Sequence, residues 1–248
     1  MVVSVWGLYE FYKISEKLGA KPFVIVGMLG GVIIYFLGVV YAPIAFFFLP
    51  LHYLALFFFT VLIVALFSSR EKPVQDALYT MAGVIYAVLP FVFLNRIGCI
   101  DLKFGDGTFT GRYNYNPHFI LGPILLIWAN DTFAYLCGSL LGKHKLYEKI
   151  SPGKTWEGSI GGAILTMGSV YLIARWYPEL SYTNWLIVAA IVIVFGTIGD
   201  LIESMLKRQA GIKDSGKIMP GHGGILDRFD SLLFASPFIY FYLDIFYP

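Results

Sequence analysis

Seven apolar runs, each near the length of a membrane helix, follow one another along this chain: Phe23–Ala42, Ile44–Phe67, Ala77–Leu94, Phe119–Leu141, Trp156–Tyr177, Trp185–Leu206 and Ile225–Tyr247. Roughly 20 mostly apolar residues cross the hydrocarbon core of a bilayer. In lipid, backbone polar groups are satisfied only within helices or closed barrels. The expected fold is therefore all-α: a polytopic integral membrane protein with about seven full spans. Met1–Leu18 begins apolar but is too short to span, so it is expected as a partial or interfacial helix. No linker divides the chain and no repeat is visible, so residues 1–248 are expected to form a single membrane-embedded domain.

Composition agrees. Charged residues make up 14% of the chain, against roughly 25% in soluble domains, and the mean hydropathy is +0.71. A net charge of +2 argues against nucleic acid as a partner. Cys99 and Cys137 stand in apolar context, which argues against a disulfide framework or a thiolate metal site. The N-terminus lacks a basic region and a small-residue cleavage site, so no cleavable signal peptide is expected.

The loops between the runs are unequal. Thirteen of the 18 Lys and Arg residues fall on the side that holds residues 13–22, 68–76, 142–155 and 207–224. The opposite side holds Arg96, Lys103, Arg112 and Arg175. The positive-inside rule makes the first side cytoplasmic.

Acids stand inside or at the ends of these runs. Asp131 follows Asn130 midway along the fourth, Asp200 and Glu203 lie near the cytoplasmic end of the sixth, and Asp227 and Asp230 open the seventh. Each intramembrane acid costs on the order of 3 kcal/mol to insert, so such residues default to function. A spacing of three places Asp200 with Glu203, and Asp227 with Asp230, on shared helix faces. Carboxylates gathered at one depth need cations. Arg228 and Lys207 are one source, and a divalent metal with hard oxygen ligands is another. Asp227, Asp200, Asp131 and Asp230 are the candidate metal ligands.

Two loops carry glycine beside basic residues. In Ser204–Asp230, Lys207, Arg208, Lys213 and Lys217 alternate with Gly211, Gly216, Gly221, Gly223 and Gly224. Glycine permits close backbone approach and positive φ, and turn amides can cradle phosphate. Gly224 also precedes a helix start, a natural anion site. Asp227 and Asp230 would repel a bare anion but not one carrying a metal, so the composition asks for a metal–polyphosphate ligand. The other loop, "EKISPGKTWEGSIGG", contains Gly-Lys-Thr, but Glu148 stands where a P-loop requires glycine, and no strand is expected before it. Gly158, Gly161 and Gly162 read as helix-packing positions. His222 lies between glycines, where a structural role and a phosphate contact weigh equally.

Read together, S-x-x-K-R-x-x-x-x-K-D-x-G-x-x-x-P-G-H-G-G-x-x-D-R-x-D over Ser204–Asp230 resembles the signature of the phosphatidate cytidylyltransferase (CDP-diacylglycerol synthase) family. "NDTFAY" at Asn130–Tyr135 and "SPGKTWEG" at Ser151–Gly158 resemble its other recurrent motifs, in the expected order. The resemblance runs from about Trp6 to the C-terminus. It implies a bacterial-type inner-membrane enzyme, with its active site on the cytoplasmic side, that condenses CTP with phosphatidate and requires Mg²⁺. One or two ions are expected, with a monovalent cation admissible, and a homodimer is compatible. Asp227, Asp200, Lys207 and Arg208 are the candidate catalytic residues. Ser151, Lys154, Thr155, Lys213, Asp214, His222, Gly223, Gly224 and Arg228 are the candidate substrate contacts. Members usually have about nine helices with a hydrophobic pair at the N-terminus, most of which is expected to be missing here. Rival readings are a CTP-dependent polyprenol or phytol kinase, a transferase acting on an archaeal-type ether lipid, and a transporter. The full basic motif disfavours the first, its spacing the second, and the absence of an inverted repeat the third.

Overall fold

A computed structural model of the chain describes residues 1–40, 49–99, 115–216, 218 and 223–246. Lys103, Arg112, Lys217, Gly221 and His222 lie outside the described residues. The described residues form ten α-helices, with one short hairpin: α1 Val2–Lys17, α2 Val24–Val40, α3 Leu49–Leu66, α4 Pro73–Ala87, α5 Leu89–Ile97, α6 His118–Leu141, α7 Trp156–Trp176, α8 Tyr182–Ile191, α9 Thr197–Gln209 and α10 Leu226–Phe246. Among the described residues, five stretches are long and apolar enough to cross a bilayer: Pro73–Ile97, His118–Leu141, Trp156–Trp176, Tyr182–Gln209 and Leu226–Phe246. Among the described residues, Val24–Val39 and His52–Leu66 are apolar but shorter. The protein is a polytopic, all-α membrane protein.

Two compact units make up the chain, and their boundary falls inside α9 and α10. Unit 1 comprises Met1–Arg96 with Leu206–Phe229, and unit 2 comprises Ile97–Met205 with Asp230–Pro248.

In unit 1, α1 packs on α4 and α2. Leu8, Phe11, Tyr12 and Ile14 recur at helical spacing and are buried. The Tyr12 hydroxyl donates to the Thr80 carbonyl at 2.9 Å. A Cβ on Gly83 would stand 2.5 Å from the Tyr12 ring, so a larger residue there would force the helices apart. The outer face of α2 carries exposed Ile25, Leu29, Ile33 and Phe36. Spacings of four, four and three keep these side chains on one stripe, suited to lipid contact.

In unit 2, α6 and α7 form the largest helix contact. The chain between them corrects the expectation of no strand: β1 Lys145–Tyr147 pairs antiparallel with β2 Ser151–Thr155. Too short to show a two-residue period in sequence, β2 leads directly into α7. Thr155 caps that helix, its hydroxyl accepting from the Gly158 amide at 3.1 Å. Glu157 ties the start of α7 back to the hairpin, accepting from the amides of Lys143 and His144, each at 3.1 Å. α8 enters α9 through a π-helical turn, Val192–Gly196, just ahead of Asp200.

The expected packing role of the α7 glycines is present at Gly162, where an added Cβ would lie 2.8 Å from Ala134 Cβ and 2.9 Å from its Cα and N. Backbone cannot step aside as a side-chain tip can, so Gly162→Ala is expected to cost about 1–3 kcal/mol in thermal unfolding in detergent. Gly168 on the same helix has nothing within 4 Å of where a methyl would stand, and Gly168→Ala is the control expected to hold or raise the midpoint. Equal midpoints for the two variants would show that α6 yields at Ala134.

Candidate functional site

Each unit holds one group of charged side chains drawn from the motifs. In unit 1, the C-terminus of α9 closes with the Ile212 amide donating to the Lys207 carbonyl at 2.9 Å and the Gly211 amide to the Arg208 carbonyl at 3.1 Å. Gly211 takes φ +69° with open space around it, so the left-handed backbone alone requires glycine there. The Arg208 guanidinium donates to the Ile212 carbonyl at 3.3 Å and reinforces the cap.

Ser215, Gly223 and Gly224 stand around Asp227 in the first turn of α10. Its Oδ1 accepts from Lys207 Nζ at 2.5 Å, and the aspartate and lysine side chains are 11% and 12% exposed. Its Oδ2 accepts from the Ser215 amide at 2.8 Å, the Ser215 hydroxyl at 2.9 Å and the Gly224 amide at 2.7 Å. Gly223, at φ +84°, leaves room for this carboxylate; a Cβ there would stand 2.6 Å from Oδ2. Hydrogen bonds to an ionised acceptor are the strong ones, so this ring fixes Asp227 firmly.

Gly224 therefore plays a different part from the one its position suggests. Its amide is given to Asp227, and the first amides of α10, Ile225 and Leu226, donate to Glu10 of α1 at 3.0 Å each. The anion at this helix start is the chain's own carboxylate. Sequence reading missed Glu10; the one available signal was a lone acid in the apolar stretch "VSVWGLYEFY". It is 4% exposed.

In unit 2, Lys154, at the end of β2, forms an ion pair with Asp200 in the first turn of α9, and both side chains are about three-quarters buried. The other Asp200 oxygen accepts from the Ser204 hydroxyl at 3.2 Å. Asp131 lies within electrostatic reach of Lys154 and Asp200, and Asp230 within reach of Asp200, Asp131 and Lys154. α6 is continuous through Asp131. Gly199 lets α10 approach: its Cβ would stand 2.6 Å from the Asp230 carbonyl. Lys154 is thus paired with Asp200, and Asp131 and Asp230 stand at longer electrostatic range.

Lys207 supplies a cation to an acid, as the sequence suggested. Lys154, read as a substrate contact, pairs with Asp200. Arg208, Lys213, Asp214 and Arg228 are exposed, Ser151 is half-buried and Thr155 is buried in its capping role.

The donor chemistry of unit 2 suits Mg²⁺. That ion is commonly bound through one or two carboxylates, with phosphate and water completing its shell. Among the described residues, no three His, Cys, Asp or Glu side chains form a ready cage, and Mg²⁺ does not need one. The fit lies in the hard carboxylate oxygens of Asp131, Asp200 and Asp230, which stand in electrostatic reach of one another.

Apolar helices long enough to span a bilayer, with carboxylates at motif positions paired to Lys154 and Lys207, define a polytopic membrane protein with charged groups among its helices. The chain belongs to the cytidylyltransferase family, whose sequence model matches residues 1–246. The phosphatidate cytidylyltransferase of Staphylococcus haemolyticus (strain JCSC1435) is 38% identical over 183 residues, and that of Staphylococcus aureus (strain COL) is 39% identical over the same length. The match covers 73% of this chain and spans 64% of the length of each relative.

Proposed function

We propose that the chain is a phosphatidate cytidylyltransferase, joining CTP and phosphatidate into CDP-diacylglycerol and pyrophosphate. Family membership and the similarity to the staphylococcal enzymes support this reading. The observation that carries it is the Lys154–Asp200 ion pair with Asp131 and Asp230 in electrostatic reach, because carboxylates gathered at one place call for a ligand that brings cations.

In the proposed reaction a phosphate oxygen of phosphatidate attacks the α-phosphorus of CTP. The bond to the β-phosphate oxygen breaks and pyrophosphate leaves. The attacking phosphate is already ionised, so no strong base is required, and the protein's work is positioning and neutralisation of charge. Lys154 and Lys207 provide fixed ammonium groups, while Arg208, Lys213 and Arg228 add exposed cations at the loop surface. Ser151, at the start of the strand that carries Lys154, offers a half-buried hydroxyl. One or two of Asp131, Asp200 and Asp230 would hold Mg²⁺, with phosphate and water completing its shell; Asp227, the fourth candidate, would have to exchange its Lys207 contact to bind an ion. When bound, Mg²⁺ screens the phosphates of the nucleotide. The proposed side is cytoplasmic, supported by the basic loops; there a soluble nucleotide reaches a lipid headgroup without either leaving its phase.

Purified protein incubated with CTP, phosphatidate and Mg²⁺ is expected to form CDP-diacylglycerol and pyrophosphate in equal amounts. CDP with a newly phosphorylated polyprenol would instead identify a lipid kinase. No turnover of either kind would remove the reading.

A further inference from the structure

Glu10 is a buried acid with no place in the proposed chemistry. Its Oε1 accepts from the Ile225 amide and its Oε2 from the Leu226 amide, two of the donors that a helix leaves unpaired at its start. Oε2 also faces the Ser215 hydroxyl at 3.1 Å, and the same hydroxyl lies 2.9 Å from Asp227 Oδ2. Two loop glycines admit this carboxylate. A Cβ on Gly216 would stand 2.3 Å from Oε1, and one on Gly224 would stand 2.4 Å from Oε2. The motif's glycines thus close around a side chain from the other end of the sequence.

We propose that Glu10 is a positioning residue. Through Ser215 and the first turn of α10 it holds Asp227 in the orientation that presents Oδ1 to Lys207. The proposal rests on the cytidylyltransferase reading for its kinetic consequence, but not for its structural one. Ser215 has one hydroxyl proton for two facing carboxylates. Each carboxylate is therefore held by other donors as well: backbone amides for Glu10, and backbone amides with Lys207 for Asp227. Removing the Glu10 charge frees the first turn of α10 to shift, and Asp227 shifts with it. α1 is by this account part of the working enzyme, not only an anchor.

The test compares the full chain with Glu10→Gln, Ser215→Ala and the double variant, by steady-state kinetics per folded molecule and by hydrogen exchange of peptides covering residues 211–228. Glu10→Gln is expected to lower kcat by on the order of 10- to 100-fold with KM for both substrates within about twofold, as a small misplacement of a working group does. Exchange across residues 215–226 should accelerate. Ser215→Ala keeps the two amide bonds to Glu10 and is expected to lose less. The double variant should be no worse than Glu10→Gln, because both changes act through Asp227. Wild-type kcat and exchange in Glu10→Gln would overturn the proposal, as would losses that simply add in the double variant. If Glu10→Gln does not fold, Ser215→Ala decides alone: unchanged kcat and unchanged exchange overturn the proposal. If the wild type converts no CTP, the cytidylyltransferase reading fails, and the exchange data alone decide whether Glu10 holds Asp227.

Discussion

If the proposed function holds, Asp227→Asn is expected to reduce CDP-diacylglycerol synthesis by about 100- to 1000-fold, the scale of losing one preorganised electrostatic group. The ring around this carboxylate explains why so small a change weighs so much. Lys207 donates to one oxygen, while two amides and a hydroxyl donate to the other. Asparagine has a single acceptor oxygen. Its NH₂ group must face either the Lys207 ammonium or the donors of Ser215 and Gly224, and each arrangement sets donor against donor. Breaking one side of a nearly buried pair also costs about 3 kcal/mol in stability. The assay is product formation at saturating CTP and phosphatidate, normalised to monodisperse protein recovered in detergent. Turnover near wild type in folded protein would remove Asp227 from the chemistry.

The second large effect is expected at the Lys154–Asp200 pair. Asp200→Asn keeps an oxygen for Ser204 but removes the charge opposite Lys154. It is expected to lower kcat by about 100-fold or more and to raise the Mg²⁺ concentration needed for half-maximal rate. Lys154→Ala, on the other side, is expected to raise KM for one substrate selectively by about tenfold, the loss of one charge-assisted contact to phosphate. An unchanged Mg²⁺ titration in Asp200→Asn, together with an unchanged KM profile in Lys154→Ala, would make the pair a purely structural link between β2 and α9.

The sequence offered both pairs only in part. Lys207 stands in the motif with Asp227, and supplying a cation to an acid there was a local inference. Lys154 and Asp200 are joined by neither periodicity nor spacing. A β2 of five residues in a hairpin carries Lys154, and nothing in "SPGKT" distinguishes that strand from a loop. The π-helical turn before Asp200 is equally silent, since Val192–Gly196 reads as ordinary apolar helix.

What the sequence determined by itself was the helical class, five of the seven expected spanning stretches, the charge asymmetry of the loops and the motif residues. All of these follow from properties of adjacent residues: apolar length against bilayer thickness, and charge against its neighbours. What only the tertiary structure decided was which groups meet. Glu10 reaches its partners across 205 to 216 residues of chain, and Gly216 and Gly224 owe their identity to that distant carboxylate. Hydropathy is a sum over a local window, whereas a hydrogen bond depends on where packed helices bring two atoms, and no local window contains both.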